Sequence, residues 1–200
     1  MQIDREMLEE IKKEAIVNYV PILRDSTMCL IEKRLDEIRP KKILEVGTAV
    51  GYSAICFSKH IAENGKIDTI ERNEKRYNKA IENIAKFNLN KTINVIFGDA
   101  KEEMKKLPSD SNYDVIFIDA AKGQYLHFLE EAKRLIKNGG LIIADNVLWH
   151  GLVNSDYNEH RNRTAVTRLR EFLRVIKEDK CFDSEVIDID DGVAFITVKK

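Results

Sequence analysis

The chain has 200 residues, enough for one domain with a full apolar core. Lys plus Arg number 33 and Asp plus Glu 34, so a net charge of −1 excludes a globally basic nucleic-acid binder and leaves only a local basic patch open. The charged start Met1-Gln2-Ile3-Asp4-Arg5-Glu6 lacks an apolar secretory core, and no run approaches membrane-spanning length, which predicts a cytoplasmic protein with no membrane partner. Cys29, Cys56 and Cys181 are scattered and odd in number, so buried thiols are expected in place of a disulfide framework or zinc site.

The spacing of Met7, Leu8, Ile11, Ala15 and Ile16 predicts a helix over 4–17. Pro21 interrupts the chain. A second helix follows, capped by Asp25 or Ser26, with Cys29, Leu30, Leu35 and Ile38 on its apolar face, and Pro40 ends it. With no linker after them, residues 1–40 are expected to form a lid or packing layer on a single domain spanning 1–200. An apolar run with one acid, Ile43-Leu44-Glu45-Val46, then stops at Gly47, and Gly51 follows before the pattern turns helical. That is a strand, a tight glycine turn and a helix. Further strands are predicted at 67–70, 93–97, 113–118 and 141–144, alternating with helices, and a helix at 163–178. Residues 184–189 and 193–198 flank Asp190-Asp191-Gly192 and form a closing hairpin. The fold class is therefore α/β and Rossmann-like: a seven-stranded, mostly parallel sheet with an antiparallel C-terminal hairpin and helices on both faces.

Each parallel strand ends in an acid or has one within two residues: Glu45, Glu71, Asp99, Asp119 and Asp145. The carboxyl ends of parallel strands share one rim, where open α/β sheets bind ligands. The glycines are spaced G-x-x-x-G and not G-x-G-x-x-G, and Glu45 beside the turn would repel a pyrophosphate and attract an ammonium. This favours a cationic, amino-acid-like ligand such as S-adenosylmethionine over a nicotinamide dinucleotide; the alternative is a plain strand-to-helix turn. Glu71 is placed to accept both ribose hydroxyls of a nucleoside; otherwise it is an exposed acid beside Arg72. Asp99, beside the small Ala100, either holds an adenine amino group or caps the next helix. Asp119, Asp145 and Asn146 offer three hard oxygens suited to Mg. Lys122 follows Asp119 by one helical turn. A nearby cation and burial would lower its pKa and make it a general base; otherwise it is a solvent-facing lysine at a helix start. A non-catalytic nucleoside-binding module has no use for this second cluster.

The segments Gly47-Thr48-Ala49-Val50-Gly51-Tyr52-Ser53, Ile118-Asp119-Ala120-Ala121-Lys122, Asp145-Asn146-Val147-Leu148-Trp149-His150-Gly151 and Asp190-Asp191-Gly192 resemble the metal-dependent O-methyltransferases, which include catechol and caffeoyl-coenzyme A O-methyltransferases. The resemblance runs from about residue 18 to the C-terminus. It implies that Leu23, Glu45, Gly47, Tyr52, Ser53, Glu71, Asp99, Ala100 and Asp119 surround S-adenosylmethionine. It also implies Asp119, Asp145 and Asn146 as metal ligands, with Lys122 and Asp119 as catalytic groups. The implied reaction is in-line displacement of the sulfonium methyl by one of two vicinal acceptor oxygens. Homodimers are common in such enzymes. Asn18-Tyr19-Val20-Pro21-Ile22-Leu23 is similar to bacterial members that methylate 5-hydroxyuridine in transfer RNA, whose O4 and 5-hydroxyl form a catechol-like pair. Arg161 and Arg163 could then meet phosphate, whereas Arg168, Arg170 and Arg174 read as a solvated face balanced by Glu171 and Glu178. A small catechol or caffeoyl-coenzyme A-like acceptor is the alternative. His60, His127, His150 and His160 show no ligand spacing; His150 either lines the acceptor pocket or packs.

Overall fold

A computed structural model describes residues 3–149, 151–156 and 162–200. His150, His160 and Arg161 lie outside the described residues. The chain forms two compact units, Met1–Glu103 and Met104–Lys200.

The first unit opens with α1 (Arg5–Val17), whose N-terminal amides at Glu6 and Met7 donate to the Asp4 carboxylate at 3.0 and 3.2 Å. This cap satisfies two donors that have no partner inside the helix. Leu8, Ile11 and Ala15 are buried, but Ile16, predicted on the same face, is 58 % exposed. It sits one residue beyond the stripe, where 100° per residue carries it off the core.

The second helix, α2 (Asp25–Ile38), buries Thr27, Met28, Ile31 and Leu35. Of the predicted face Leu35 is buried, whereas Leu30 is half-buried, Cys29 is exposed and Ile38 is 38 % exposed. Thr27 caused the error, because a buried threonine anchors the stripe and apolar pattern alone does not register it. Neither predicted cap acts here. The N-cap position is Arg24, with no side-chain capping bond, and Asp25 is instead held by the Lys12 ammonium at 2.5 Å. Both helices contact α3 (Tyr52–Phe57).

Strands β1 (Lys42–Val46), β2 (Lys66–Glu71) and β3 (Ile93–Phe97) pair in parallel in the order β3-β2-β1, joined through α3 and α4 (Glu74–Lys86). Ile43, Leu44, Val46, Ile67 and Ile70 are almost fully buried, the near-continuous apolar run expected of strands covered on both faces. The short α5 (Ala100–Lys106) follows β3.

The second unit holds β4 (Tyr113–Ile118), α6 (Tyr125–Leu135), β5 (Ile136–Asp145), α7 (Arg163–Glu178), β6 (Phe182–Ile187) and β7 (Val193–Val198). Strand order is β4-β5-β7-β6, with β4 and β5 parallel and the last two pairings antiparallel. Strand β5 starts five residues earlier than predicted because Ile136 already pairs with Tyr113 before the register shifts to Val115 opposite Leu141. The hairpin also differs, since β6 occupies 182–187 and a loop over 188–192 joins it to β7. Among the described residues no helix is long and apolar enough to cross a membrane.

Candidate active site

The glycine turn follows β1. Gly47 (φ +108°) and Gly51 (φ +83°) take left-handed conformations, which a side chain would strain. The amides of Gly47 and Thr48 both donate to the Ile70 carbonyl of β2, at 3.1 and 3.2 Å. The buried Asn83 amide of α4 donates to the Val50 carbonyl at 2.9 Å, fixing the far side of the loop.

Glu45 is fully buried directly beneath this turn. A carboxylate so placed is tolerable only with donors around it. The Ser53 hydroxyl donates to Oε1, and the Thr69 hydroxyl donates to Oε2 at 2.5 Å. The Thr48 and Thr69 hydroxyls share a further bond of 2.6 Å, which extends the chain to the turn itself. The sequence carries no signal for these two roles: Thr69 sits in a strand that also carries Lys66, Asp68 and Glu71, and Thr48 sits in the turn.

Glu71, at the end of β2 and 7 % exposed, accepts from Ala49 N at 2.9 Å and Asn73 N at 2.7 Å. Two backbone donors thus hold its carboxylate rigidly beside the glycine turn. Lone pairs remain on both oxygens, which fits a group that must accept a pair of ribose hydroxyls. Asp99 is exposed, bonds Lys101 N at 2.9 Å as a helix start and lies 3.7 Å from the Arg72 guanidinium. Capping is therefore one of its roles. Ala100 beside it is half-buried.

Leu23 is buried in the segment between α1 and α2. Tyr52 is buried too, and its phenol is pushed well above its ordinary pKa by burial and then by Cys56, to which it is hydrogen-bonded. Burial likewise pushes the Cys56 thiol up to about 12. Only Cys56 is the inert buried thiol expected of all three cysteines; Cys29 is exposed and Cys181 is half-buried.

The second unit gathers Asp119, Lys122, Asp145 and Asn146. The Lys122 ammonium donates to Asn146 Oδ1 at 2.5 Å and stands 3.4 Å from Asp119 Oδ1. Asp145 is 4 % exposed at the end of β5. Burial, followed by the neighbouring Asp119 charge, raises its pKa from 3.8 to about 7, against the pull of the Asn146 amide and Lys122. Asn146 takes the left-handed conformation (φ +54°), which asparagine tolerates better than most residues, and its N–H donates to Asp145 Oδ1 at 2.7 Å.

Among the described residues no group of three or more His, Cys, Asp or Glu side chains is placed to hold a metal. The donors here are two carboxylates and one amide, all hard oxygens. An ammonium already spans two of them, and the buried Asp145 carboxylate lacks full compensation. A small divalent cation fits that chemistry.

Two supports for this cluster escaped the sequence reading. The fully buried Tyr125 hydroxyl donates to the Asp145 carbonyl at 2.6 Å, with its ring edge-on to Phe172 of α7. The hairpin loop does the rest. The Asp191 carbonyl accepts from Leu148 N and Trp149 N at 2.9 and 3.1 Å, and the Gly192 carbonyl accepts from Val147 N at 3.0 Å. The Asp-Asp-Gly motif had signalled a turn, but not that its carbonyls hold the segment after Asn146.

The arginine segment divides by contact. Arg168 and Arg174 pair with Glu171 and Glu178, each at 3.0 Å, as a solvated helix face. Arg170 instead donates to the carbonyls of Leu152, Val153 and Ser155 and braces that loop. Arg163 is exposed at the start of α7. His60 bridges Asp36 (2.7 Å) and Glu32 (3.3 Å), a packing role.

The O-methyltransferase family model matches residues 2–199. A caffeoyl-CoA O-methyltransferase of Stellaria longipes is 30 % identical over 96 % of this chain and 83 % of its own. A catechol O-methyltransferase of Niastella koreensis is 32 % identical over 80 % of this chain and 74 % of its own. The crystal structure of a Bacillus cereus O-methyltransferase in complex with SAH superposes with a TM-score of 0.87 at 26 % identity, covering 100 % of this chain and 93 % of that one. The chain thus belongs to the O-methyltransferase family and is an S-adenosylmethionine-dependent enzyme.

Proposed function

We propose that this enzyme moves the methyl of S-adenosylmethionine to one of two vicinal oxygens, with Mg or another divalent cation at Asp119, Asp145 and Asn146, and that its acceptor is 5-hydroxyuridine at the wobble position of transfer RNA. The observation that carries the metal reading is the convergence of three hard oxygens and one amine, with Lys122 within 2.5 Å of Asn146 Oδ1. In this reading Glu71 accepts the ribose hydroxyls, and Asp99 with Ala100 flanks the adenine. Glu45 acts through the Ser53 hydroxyl it anchors, and Gly47, Tyr52 and Leu23 contribute backbone around the methionine end.

A divalent cation at the oxygen cluster would acidify an acceptor hydroxyl and hold it beside its vicinal neighbour. In its neutral amine form Lys122 takes the hydroxyl proton on Nζ and becomes the ammonium that donates to Asn146 Oδ1 and faces Asp119. Asn146 and Asp119 keep that amine at the ligands instead of in solvent. Attack of an oxyanion on a sulfonium disperses charge, so a site with few competing waters favours it. The RNA acceptor rests on the 18–23 segment and the exposed Arg163. A catechol or caffeoyl-coenzyme A-like acceptor is the second reading, favoured by the names of the two relatives. A cytoplasmic homodimer belongs to the same proposal.

Radiolabelled methyl transfer, with and without chelator, to hydroxylated transfer RNA and to catechols tests it. Label in transfer RNA that requires the 5-hydroxyuridine is the expected result. Label only in catechols refutes the RNA acceptor, and transfer that survives chelation refutes the metal.

A further inference from the structure

A cavity of about 410 Å³ opens in the first unit between the later half of α1 and the first three turns of α4. One side is apolar, with Ile11, Ala15, Val20 and Val50. The other carries Lys75, Arg76 and Lys79, successive cations along α4, against a single lining acid, Glu14. Lys79 is taken by Glu14 at 2.5 Å, which ties the two helices together across the opening. Among the described residues, no partner is recorded for the Lys75 or Arg76 side chain. The lining therefore keeps two uncompensated positive charges on a protein whose overall charge is near zero.

An exposed aromatic residue lies in the chain between two lining residues of the same cavity. Asn18 and Val20 both line it, and Tyr19 between them is 94 % exposed, with its backbone in the left-handed region at φ +53°. Exposing a tyrosine so completely forgoes the burial that a large aromatic normally gains. Placing it in a conformation that bulky residues rarely adopt costs more. A groove of uncompensated cations edged by an exposed aromatic is the composition that grips a nucleic-acid strand, with phosphates on the cations and a base on the ring. A purely apolar ligand would leave the charges unanswered, and a bare inorganic anion would leave the ring and the apolar wall unused.

We infer that the α1–α4 cavity binds a single-stranded RNA segment of the acceptor, with backbone phosphate at Lys75 and Arg76 and a base stacked on Tyr19. This rests on the transfer-RNA acceptor proposed above. It adds a surface for that RNA built from residues outside the methyl-donor contacts.

The test measures binding of a short labelled single-stranded RNA by fluorescence anisotropy across a salt series. Wild type, Lys75→Ala/Arg76→Ala and Tyr19→Ala are compared, with calorimetric S-adenosylmethionine affinity as the control for an intact unit. Loss of two phosphate contacts should make the slope of log affinity against log salt shallower by about 1.4. Loss of the stack should weaken binding about fivefold to a hundredfold. Donor affinity should not change. RNA affinity and salt slope unaltered in both variants overturn the site. If wild type labels transfer RNA while the variants bind RNA normally, only this site fails; if wild type neither labels nor binds RNA, the acceptor reading fails with it. Uridine monophosphate is the second probe. Binding at least about tenfold weaker than the strand is expected, and binding as tight as the strand makes a free nucleotide the occupant and overturns the strand assignment.

Discussion

Replacing Asp145 by Asn should make the metal-free protein more stable at neutral and alkaline pH while it abolishes methyl transfer. Asp145 has its pKa raised from 3.8 to about 7 by burial and by the Asp119 charge. For an acid raised in the folded state, the native protein binds the extra proton. Its stabilising share is complete below pH 3.8 and is lost progressively as pH rises to about 7. The separation of the two values corresponds to roughly 4 kcal/mol at about 1.4 kcal/mol per pKa unit. Asparagine keeps the shape, and its side-chain oxygen still accepts from Asn146 N, which donates to Asp145 at 2.7 Å. Its amide turns the repulsion with Asp119 into a donor. Urea denaturation in chelator at pH 5 and pH 8 reads the effect. Wild type should weaken between the two pH values, and Asp145→Asn should weaken less and exceed wild type at pH 8. Added Mg should raise the pH 8 stability of wild type and leave the variant unmoved. A variant less stable than wild type at pH 8 in chelator would refute the account of Asp145 as a buried, under-compensated carboxylate.

Two further substitutions probe the supports of the two clusters. Gly192→Ala places a methyl on the Leu148 side chain at φ +82°, so strain and overpacking together should cost about 2–4 kcal/mol in a denaturation midpoint. A loss below 0.5 kcal/mol, within the range of ordinary surface changes, would show that the hairpin loop does not hold the segment after Asn146. Thr69→Val removes a donor from the buried Glu45 carboxylate and should cost about 1–3 kcal/mol. Unchanged stability together with unchanged donor affinity would show that Glu45 does not depend on that hydroxyl.

The strands and the order of their terminal acids were legible because they are local. Strands at 93–97 and 113–118 and the helix at 163–178 match the structure end to end. Apolar runs bounded by glycine, proline or charge announce such elements without reference to distant residues. The helix faces near the N-terminus were less legible. Thr27 is buried in α2 while Cys29 is exposed, and which face meets the core depends on the partner helix.

The site divides in the same way. That Glu71, Asp119, Asp145, Asn146 and Lys122 lie at or just beyond strand ends was legible, because strand ends are set by local sequence. Only the tertiary structure showed that Thr69 feeds Glu45, that Tyr125 holds the Asp145 carbonyl across 20 residues, and that the Asp191 and Gly192 carbonyls hold the segment after Asn146. Sequence by itself determined the strand ends and the chemistry they carry, since propensity and turn geometry act over a few residues. Which donors meet those acids, and so how far each pKa moves, was decided by packing between segments far apart in the chain, because burial and hydrogen-bond partners exist only once the strands are side by side.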